Sequence, residues 1–472
     1  MARNAWSGQR LPHPPGRRRI FGDIERDADP TTPTQNLLRR CEGLPELVEF
    51  KAFRERFVFV MSARLCAQVC DDATFDKALP PAILALRRFS GDALFTAFTE
   101  EPAWALAHDL LAPAFTKPAM RGYHDTMNAV ADDLVARWSA ATGPVDVPGD
   151  LTRMTLETIG RTAFGHSFGT FAAQQTDPYV EAMVTLLTES GRAAGLSTLP
   201  DGQLITRRPR ERARSAYDTQ VRITEGIIAD RMRTGGPREE GEDLLGRMLF
   251  HAHERTGERL DRSNVVNQVL TFLTAGHETT SGAVTFALWH LANDPDVMAR
   301  AQAEADALLG PDPTARPTFE LVPKFRYLRR VLDEALRLWP TAPAFGRSPR
   351  QPTHIAGYTM TPQDWLMVFL PAVHRDPAVW GPHPDRFDPD NFLPERVRAR
   401  PAHSYLPFGT GARACIGRQF ALHEAVLVLA SLVHRFELTR DPAYTLRVSE
   451  RLTLMPTGFT LTARERVPAS AT

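Results

Sequence analysis

The sequence predicts a mainly helical protein with small β-sheets, an α+β arrangement. Three observations lead there. Apolar residues recur at three-and-four spacing over long central stretches. One apolar segment, ending at Asn293 before Pro295, is about 30 residues long, or ~45 Å as a helix. Strand-like patterning is confined to short segments towards the two ends of the chain.

Residues 1–20 are rich in Pro and Arg and read as a flexible arm, with Arg17-Arg18-Arg19 as a solvated cluster. Residues 21–465 read as one domain and 466–472 as a tail, because no Gly/Ser linker divides the chain. The best break, Thr234 to Glu242, is an exposed loop between helices. Glu49 to Met61 reads as β. Ala103–Leu111, Ala119–Thr142, Leu151–Phe164 and Tyr217–Met232 read as helices, and Pro200-Asp201-Gly202 as a mobile loop. Strand character returns at His354–Thr361 and Trp365–Leu370 around a turn at Pro362-Gln363-Asp364, and again over Leu438–Ala463.

Composition narrows the function. Lys+Arg and Asp+Glu are balanced at 56 each, so no overall field draws in nucleic acid. No apolar run approaches the ~18 residues of a membrane span, and no signal-type segment opens the chain. The expectation is a soluble, cytoplasmic protein without a membrane anchor. Four cysteines in so long a chain are not a disulfide framework. Cys66 and Cys70, one helical turn apart, read as buried small hydrophobes, and His251 and His253 as solvated.

The long helix is expected to be capped by Ser263. Its middle, Ala275-Gly276-His277-Glu278-Thr279-Thr280-Ser281-Gly282, breaks its own pattern. Glycine costs about 1 kcal/mol against alanine in a helix, and threonine can bond back to the carbonyl four residues earlier. Poor helix formers and an acid inside an apolar helix mark function. His277 reads as a neighbour of the site rather than a ligand. Glu334-Ala335-Leu336-Arg337 sets an acid and an arginine on one face of a buried helix, where the pair needs further partners. The most specific segment is Phe408-Gly409-Thr410-Gly411-Ala412-Arg413-Ala414-Cys415-Ile416-Gly417. A soft thiolate in a glycine-rich, arginine-flanked turn before a helix suits ligation of haem iron. The same stretch fits a loose dinucleotide-binding G-x-G-x-x-A, but no βαβ unit surrounds it.

Ala275 to Thr280, Glu334 to Arg337, Phe387 to Phe392 and Phe408 to Gly417, in this order, resemble the haem-thiolate monooxygenases, the cytochromes P-450. Trp339 to Phe345, His374-Arg375-Asp376, Ala414 to Glu424, Phe75-Asp76-Lys77 and Gly91 to Thr96 are similar to the haem domain of bacterial self-sufficient fatty-acid hydroxylases. The resemblance implies a cytochrome P-450 fold with a long central helix over haem b and a proximal cysteine loop. It implies Cys415 as iron ligand, Phe408 near its sulfur, and N–H groups at Gly417 and beyond stabilising the thiolate. Arg413, Trp104, His108 and Lys77 would contact the haem propionates. Glu278 and Thr279 would organise the water that delivers protons. Phe95, Leu86, Ala275, Ala342 and Leu452 would line the substrate pocket, and Glu334 with Arg337 would form a buried structural pair. The region of Pro200 would be a lid.

The resemblance implies an O2-dependent monooxygenase of a hydrophobic, long-chain, fatty-acid-like substrate. A peroxide-driven peroxygenase and a non-catalytic haem sensor stay open. The chain stops at Thr472, where the related enzymes continue into a reductase. The expectation is therefore a monomer fed from NAD(P)H through a separate ferredoxin or flavodoxin and its reductase. Two departures stand out. The Arg and Tyr that bind a fatty-acid carboxylate align with Glu55 and Phe59, with Arg54 or Arg56 as substitutes. An arginine before the haem loop is replaced by Asn391, with Arg386 nearby but out of register.

Overall fold

The computed structural model describes residues 9–25, 29, 31–53, 55–172, 177–196, 205–234 and 243–466. The Pro200 loop, Arg54 and most of the 234–242 loop lie outside these residues.

The β-rich part gathers at one side. Strands β1 (Leu47–Ala52) and β2 (Glu55–Val60) form a hairpin rather than one strand, because Phe53 turns the chain at φ 52°. They join β3 (Phe75–Ala78), β5 (Ala344–Pro349) and β8 (Leu366–Phe369) in the order β1-β2-β8-β5-β3, with only β2 and β8 parallel. A second sheet runs β4 (Val145–Asp146), β12 (Thr460–Glu465), β9 (Phe436–Arg440). Two hairpins stand apart. One is β6 (Thr353–Ile355) with β7 (Tyr358–Met360), and the other is β10 (Val448–Glu450) with β11 (Leu454–Pro456).

Residues 9–20 are tied to this sheet, not a loose arm. Leu11 is buried, Glu49 N–H donates to the Pro12 carbonyl, and Arg17 bridges Asp23 and Glu49. At the other end, Arg466 grips the Asp306 carboxylate with both terminal nitrogens.

The helices that frame the site are α1 (Pro81–Ser90), α2 (Pro102–Leu111), α3 (Lys117–Ser139), α4 (Val147–Ala163), α5 (Pro178–Leu196) and α6 (Arg207–Thr234). They are followed by α7 (Arg262–Asn293), α8 (Arg326–Leu338) and α9 (Arg418–Arg435). Helix α7 is the spine, packed against α4, α8, α9 and β11. Its cap is Asp261, whose carboxylate accepts the Asn264 N–H. Ser263 instead donates its hydroxyl to that carboxylate at 2.7 Å, so a stronger acceptor two residues earlier displaces the expected cap. Gly282 lets β11 reach the spine. A Cβ there would stand 3.0 Å from the Leu454 carbonyl and 3.2 Å from the Thr341 methyl. His253 is largely covered and lies 3.3 Å from Asp109, so it is not a solvated side chain.

Among the described residues, no helix is long and apolar enough to cross a membrane.

Candidate functional site

Cys415 sits on a loop whose shape is locked from the sheet. Its N–H donates to the Phe408 carbonyl at 2.8 Å, closing the turn. Gly411 (φ 66°) is required by contact as well as conformation, since a Cβ would lie 1.9 Å from Asp72 Oδ2. Asp72 accepts the Ala412 N–H at 3.3 Å and is held by Arg347 at 2.7 Å. Arg347, 3% exposed, also donates to the Val69 and Phe75 carbonyls. The loop is thus bolted to β3 and β5. Gly417 then caps α9, and its N–H points at the sulfur. Burial pushes the Cys415 thiol above its ordinary pKa, with the Gly417 N–H and Arg418 pulling it back. Cys415 is nevertheless accessible. A group both enclosed by protein and accessible opens on an internal cleft.

The opposite wall is the irregular centre of α7. Thr279, Thr280 and Ala283 line one cavity with Pro407, Phe408 and Ala421, so the spine faces the cysteine loop directly. Thr279 Oγ1 donates back to the Ala275 carbonyl at 2.8 Å, which leaves its lone pairs free. Ala275, one turn earlier on the same face, is exposed although most of the helix is buried. Glu278 is 4% exposed. Its Oε1 accepts from Arg451 Nη1 at 3.0 Å. Sequence reasoning missed Arg451. The signal available was its position beside Leu452, a residue matched to the pocket. His277 is fully buried, takes a hydrogen bond from Thr155 on its carbonyl, and has its pKa held down by burial. It is a core neighbour of the site.

Arg413 and Lys77 stand together at one edge of the cleft, with Asp76 and Glu101 near both. Arg413 lies over the Trp104 ring at 4.5 Å, and its Nη2 donates to the Leu94 and Ala97 carbonyls. Its Nη1 is buried without a partner among the described residues. Burial lowers its pKa to about 10. Lys77 donates to the Phe95 carbonyl, and its pKa falls to about 6, first from burial and then from Arg413 and Arg87. The His108 ring lies tilted by 32° against Trp104, with the centroids 5.3 Å apart. An orphaned guanidinium nitrogen, beside a lysine whose charged form is disfavoured until a counter-charge arrives, calls for an anion. A flat group with carboxylates on one edge and a metal over Cys415 satisfies both demands, so these residues fit haem. Arg413→Leu should speed haem transfer to apomyoglobin about tenfold or more, as expected for one lost charge-assisted hydrogen bond. An unchanged rate would dissociate Arg413 from the anionic edge.

None of the other matched positions is fully buried. Phe95 is 43% exposed, Ala342 is exposed, and Leu86 and Leu452 are half-buried. Helix α1, which carries Leu86, buries no residue fully although it is mostly apolar.

Glu334 and Arg337 are each 0% exposed and form a two-bonded pair at 2.7 Å. The third partner is Asn391 itself, which donates to Glu334 Oε1 at 3.1 Å beside the Asp388 N–H at 2.8 Å. Arg386 contributes its carbonyl to Arg337, not its side chain.

The matched carboxylate-binding positions offer no clamp. Phe59 is 7% exposed and packs on Phe369 in the sheet's own apolar cluster. Arg56 is engaged by Glu49 and the Gln9 carbonyl. Arg54 lies outside the described residues.

Comparison with known proteins agrees with this geometry. A model of the cytochrome P450 family matches residues 12–463. The chain is 39% identical over 442 residues to a bifunctional cytochrome P450/NADPH–P450 reductase of Bacillus subtilis, covering 93% of this chain and 41% of that protein. It is also 39% identical over 436 residues to the corresponding Bacillus cereus protein, covering 91% and 40%. A self-sufficient cytochrome P450 monooxygenase of Exserohilum turcicum is 34% identical over 444 residues, covering 93% and 41%. The chain spans about two fifths of the length of these relatives.

Proposed function

This chain belongs to the cytochrome P450 family, and from that premise we propose that it is a monooxygenase of a hydrophobic, long-chain substrate. The observation that carries the reading is a cysteine both enclosed and accessible, on a loop whose Phe408 shares a cavity with Thr279. Haem held through Cys415 supplies reductive activation of dioxygen, and thiolate ligation favours O–O cleavage. The protein's own residues do the rest. Gly417 N–H fixes the sulfur. Arg413 and Lys77, with Trp104 and His108 beside them, hold the anionic edge. Phe95, Leu86, Ala342 and Leu452 keep an aliphatic chain in place and exclude water.

Proton delivery falls to Thr279 and Glu278. The Thr279 hydroxyl is oriented by Ala275 and holds a water at the cleft. Glu278 can exchange protons with that water when Arg451 turns from its carboxylate. Electrons come from a redox partner reduced ultimately by NAD(P)H.

Thr279→Ala tests this directly. Product formation should fall roughly 100-fold, the scale of positioned proton transfer. Electron consumption should continue, with hydrogen peroxide accumulating instead. Product yield per electron pair equal to that of the parent protein would remove Thr279 from proton delivery.

A further inference from the structure

The first turns of α6 carry the sequence Arg207-Arg208-Pro209-Arg210-Glu211-Arg212-Ala213-Arg214. This is an unfavourable place for arginine. The N-terminal end of a helix presents the positive end of its dipole, and acids belong there. The first turn has none. The chain as a whole is neutral, so the cluster is not a by-product of a basic composition. A local rule broken where, among the described residues, some of the arginines gain no ion pair points to a use.

The structure shows what that use can be. Pro209, Ala213 and Ala216 turn inward, while Arg207, Arg208, Arg210, Arg212 and Arg214 are exposed. Arg212 sits over Glu189 of α5 at 3.3 Å, and Arg192 is exposed one turn further along that helix. Arg207 and Arg214 have partners on their own helix, Glu211 and Asp218. Among the described residues, Arg208 and Arg210 have no ion-pair partner. No apolar side chain interrupts this exposed face from Arg207 to Ser215, so it suits an acidic surface better than insertion into lipid.

The helix that carries the patch also packs on α1. Ala213 and Ala216 pack with Ala182 and Leu186 of α5 onto Phe89, and Tyr217 meets Phe89 at 5.3 Å. Phe89 belongs to α1, the helix that carries Leu86. At the matched carboxylate-binding positions, by contrast, Arg56 is occupied and Glu55 is an acid.

We propose that the arginine face at the start of α6 docks an acidic carrier protein that presents the long-chain substrate as a thioester. The thioester is neutral, so it needs no cationic clamp and avoids repulsion by Glu55. The charge that a free acid would bring is moved to the carrier's surface and met by Arg208 and Arg210. This deepens the long-chain reading above and rests on it.

The test compares two ligands on the full chain loaded with haem. One is a hexadecanoyl thioester of a bacterial acyl carrier protein, and the other is free hexadecanol. Binding is read by calorimetry and by the low- to high-spin shift. The carrier-bound chain should bind more tightly than the alcohol, and increasingly so as salt is lowered. The double variant Arg208→Glu, Arg210→Glu should weaken carrier binding about tenfold or more and leave the alcohol's spin shift unchanged. Equal affinity of parent and variant for the carrier would overturn the proposal. So would preferential, arginine-dependent binding to phosphatidylglycerol vesicles, which would assign the face to an anionic membrane. Absence of a spin shift with both ligands would instead remove the long-chain pocket on which the proposal stands.

Discussion

Arg337→Met is expected to destabilise the fold by about 3–5 kcal/mol, the cost of leaving one member of a buried ion pair uncompensated. The thermal midpoint of unfolding, followed by circular dichroism, measures it. Arg337 is wholly buried and uses all three guanidinium nitrogens. They bond to Glu334 at 2.7 Å twice, and to the carbonyls of His374 (2.9 Å), Pro384 (2.6 Å) and Arg386 (3.0 Å). Burial already raises the pKa of Glu334, and Arg337 is the first influence opposing it. An isolated buried pair can often be exchanged for apolar residues at little loss. Here the double variant Glu334→Leu, Arg337→Met should stay unstable, because three carbonyls lose their donor at about 1–3 kcal/mol each. Recovery to parent stability in the double variant would show that the pair, and not the carbonyls, carries the cost.

The second expected result concerns chemistry rather than folding. Cys415→Ser should retain the parent's helical content yet lose turnover to below detection. The reduced carbon-monoxide complex should lose its thiolate signature. The side chain opens on the cleft, so its loss removes little packing. The loop keeps its shape through the Phe408 carbonyl and Asp72, neither of which bonds to the sulfur. The other cysteines cannot substitute. Cys41, Cys66 and Cys70 are buried, and burial pushes the Cys41 thiol up to about 12. Among the described residues, no cluster of three or more His, Cys, Asp or Glu could hold a metal. A thiolate-type spectrum in the variant would mean that another residue carries the ligation.

Much of the fold was legible because helix and strand periods repeat locally. The polar break in α7 and the buried spacing of Glu334 and Arg337 both stand out within a few residues. Boundaries were harder, since a cap depends on which of several neighbouring oxygens reaches an N–H. Asp261 won over Ser263 for that reason. The run from Glu49 to Met61 hid a turn at Phe53, a residue whose type does not announce a positive φ.

The sequence by itself determined the cysteine loop, the adjacent acid–alcohol pair in the long helix and the helical frame. Each is a set of residues close along the chain, so spacing alone places them together. Only the tertiary structure decided that Arg451 holds Glu278, that Asp72 and Arg347 bolt the cysteine loop to the sheet, and that Asn391 completes the Glu334 network. It alone showed that Arg56 is occupied by Glu49 and that the arginine-bearing helix α6 packs on Phe89 of α1. These contacts join distant segments, through single charges and hydrogen bonds that leave no periodic trace. A charge in the sequence has many possible partners, and folding selects among them by what packing brings within about 3 Å.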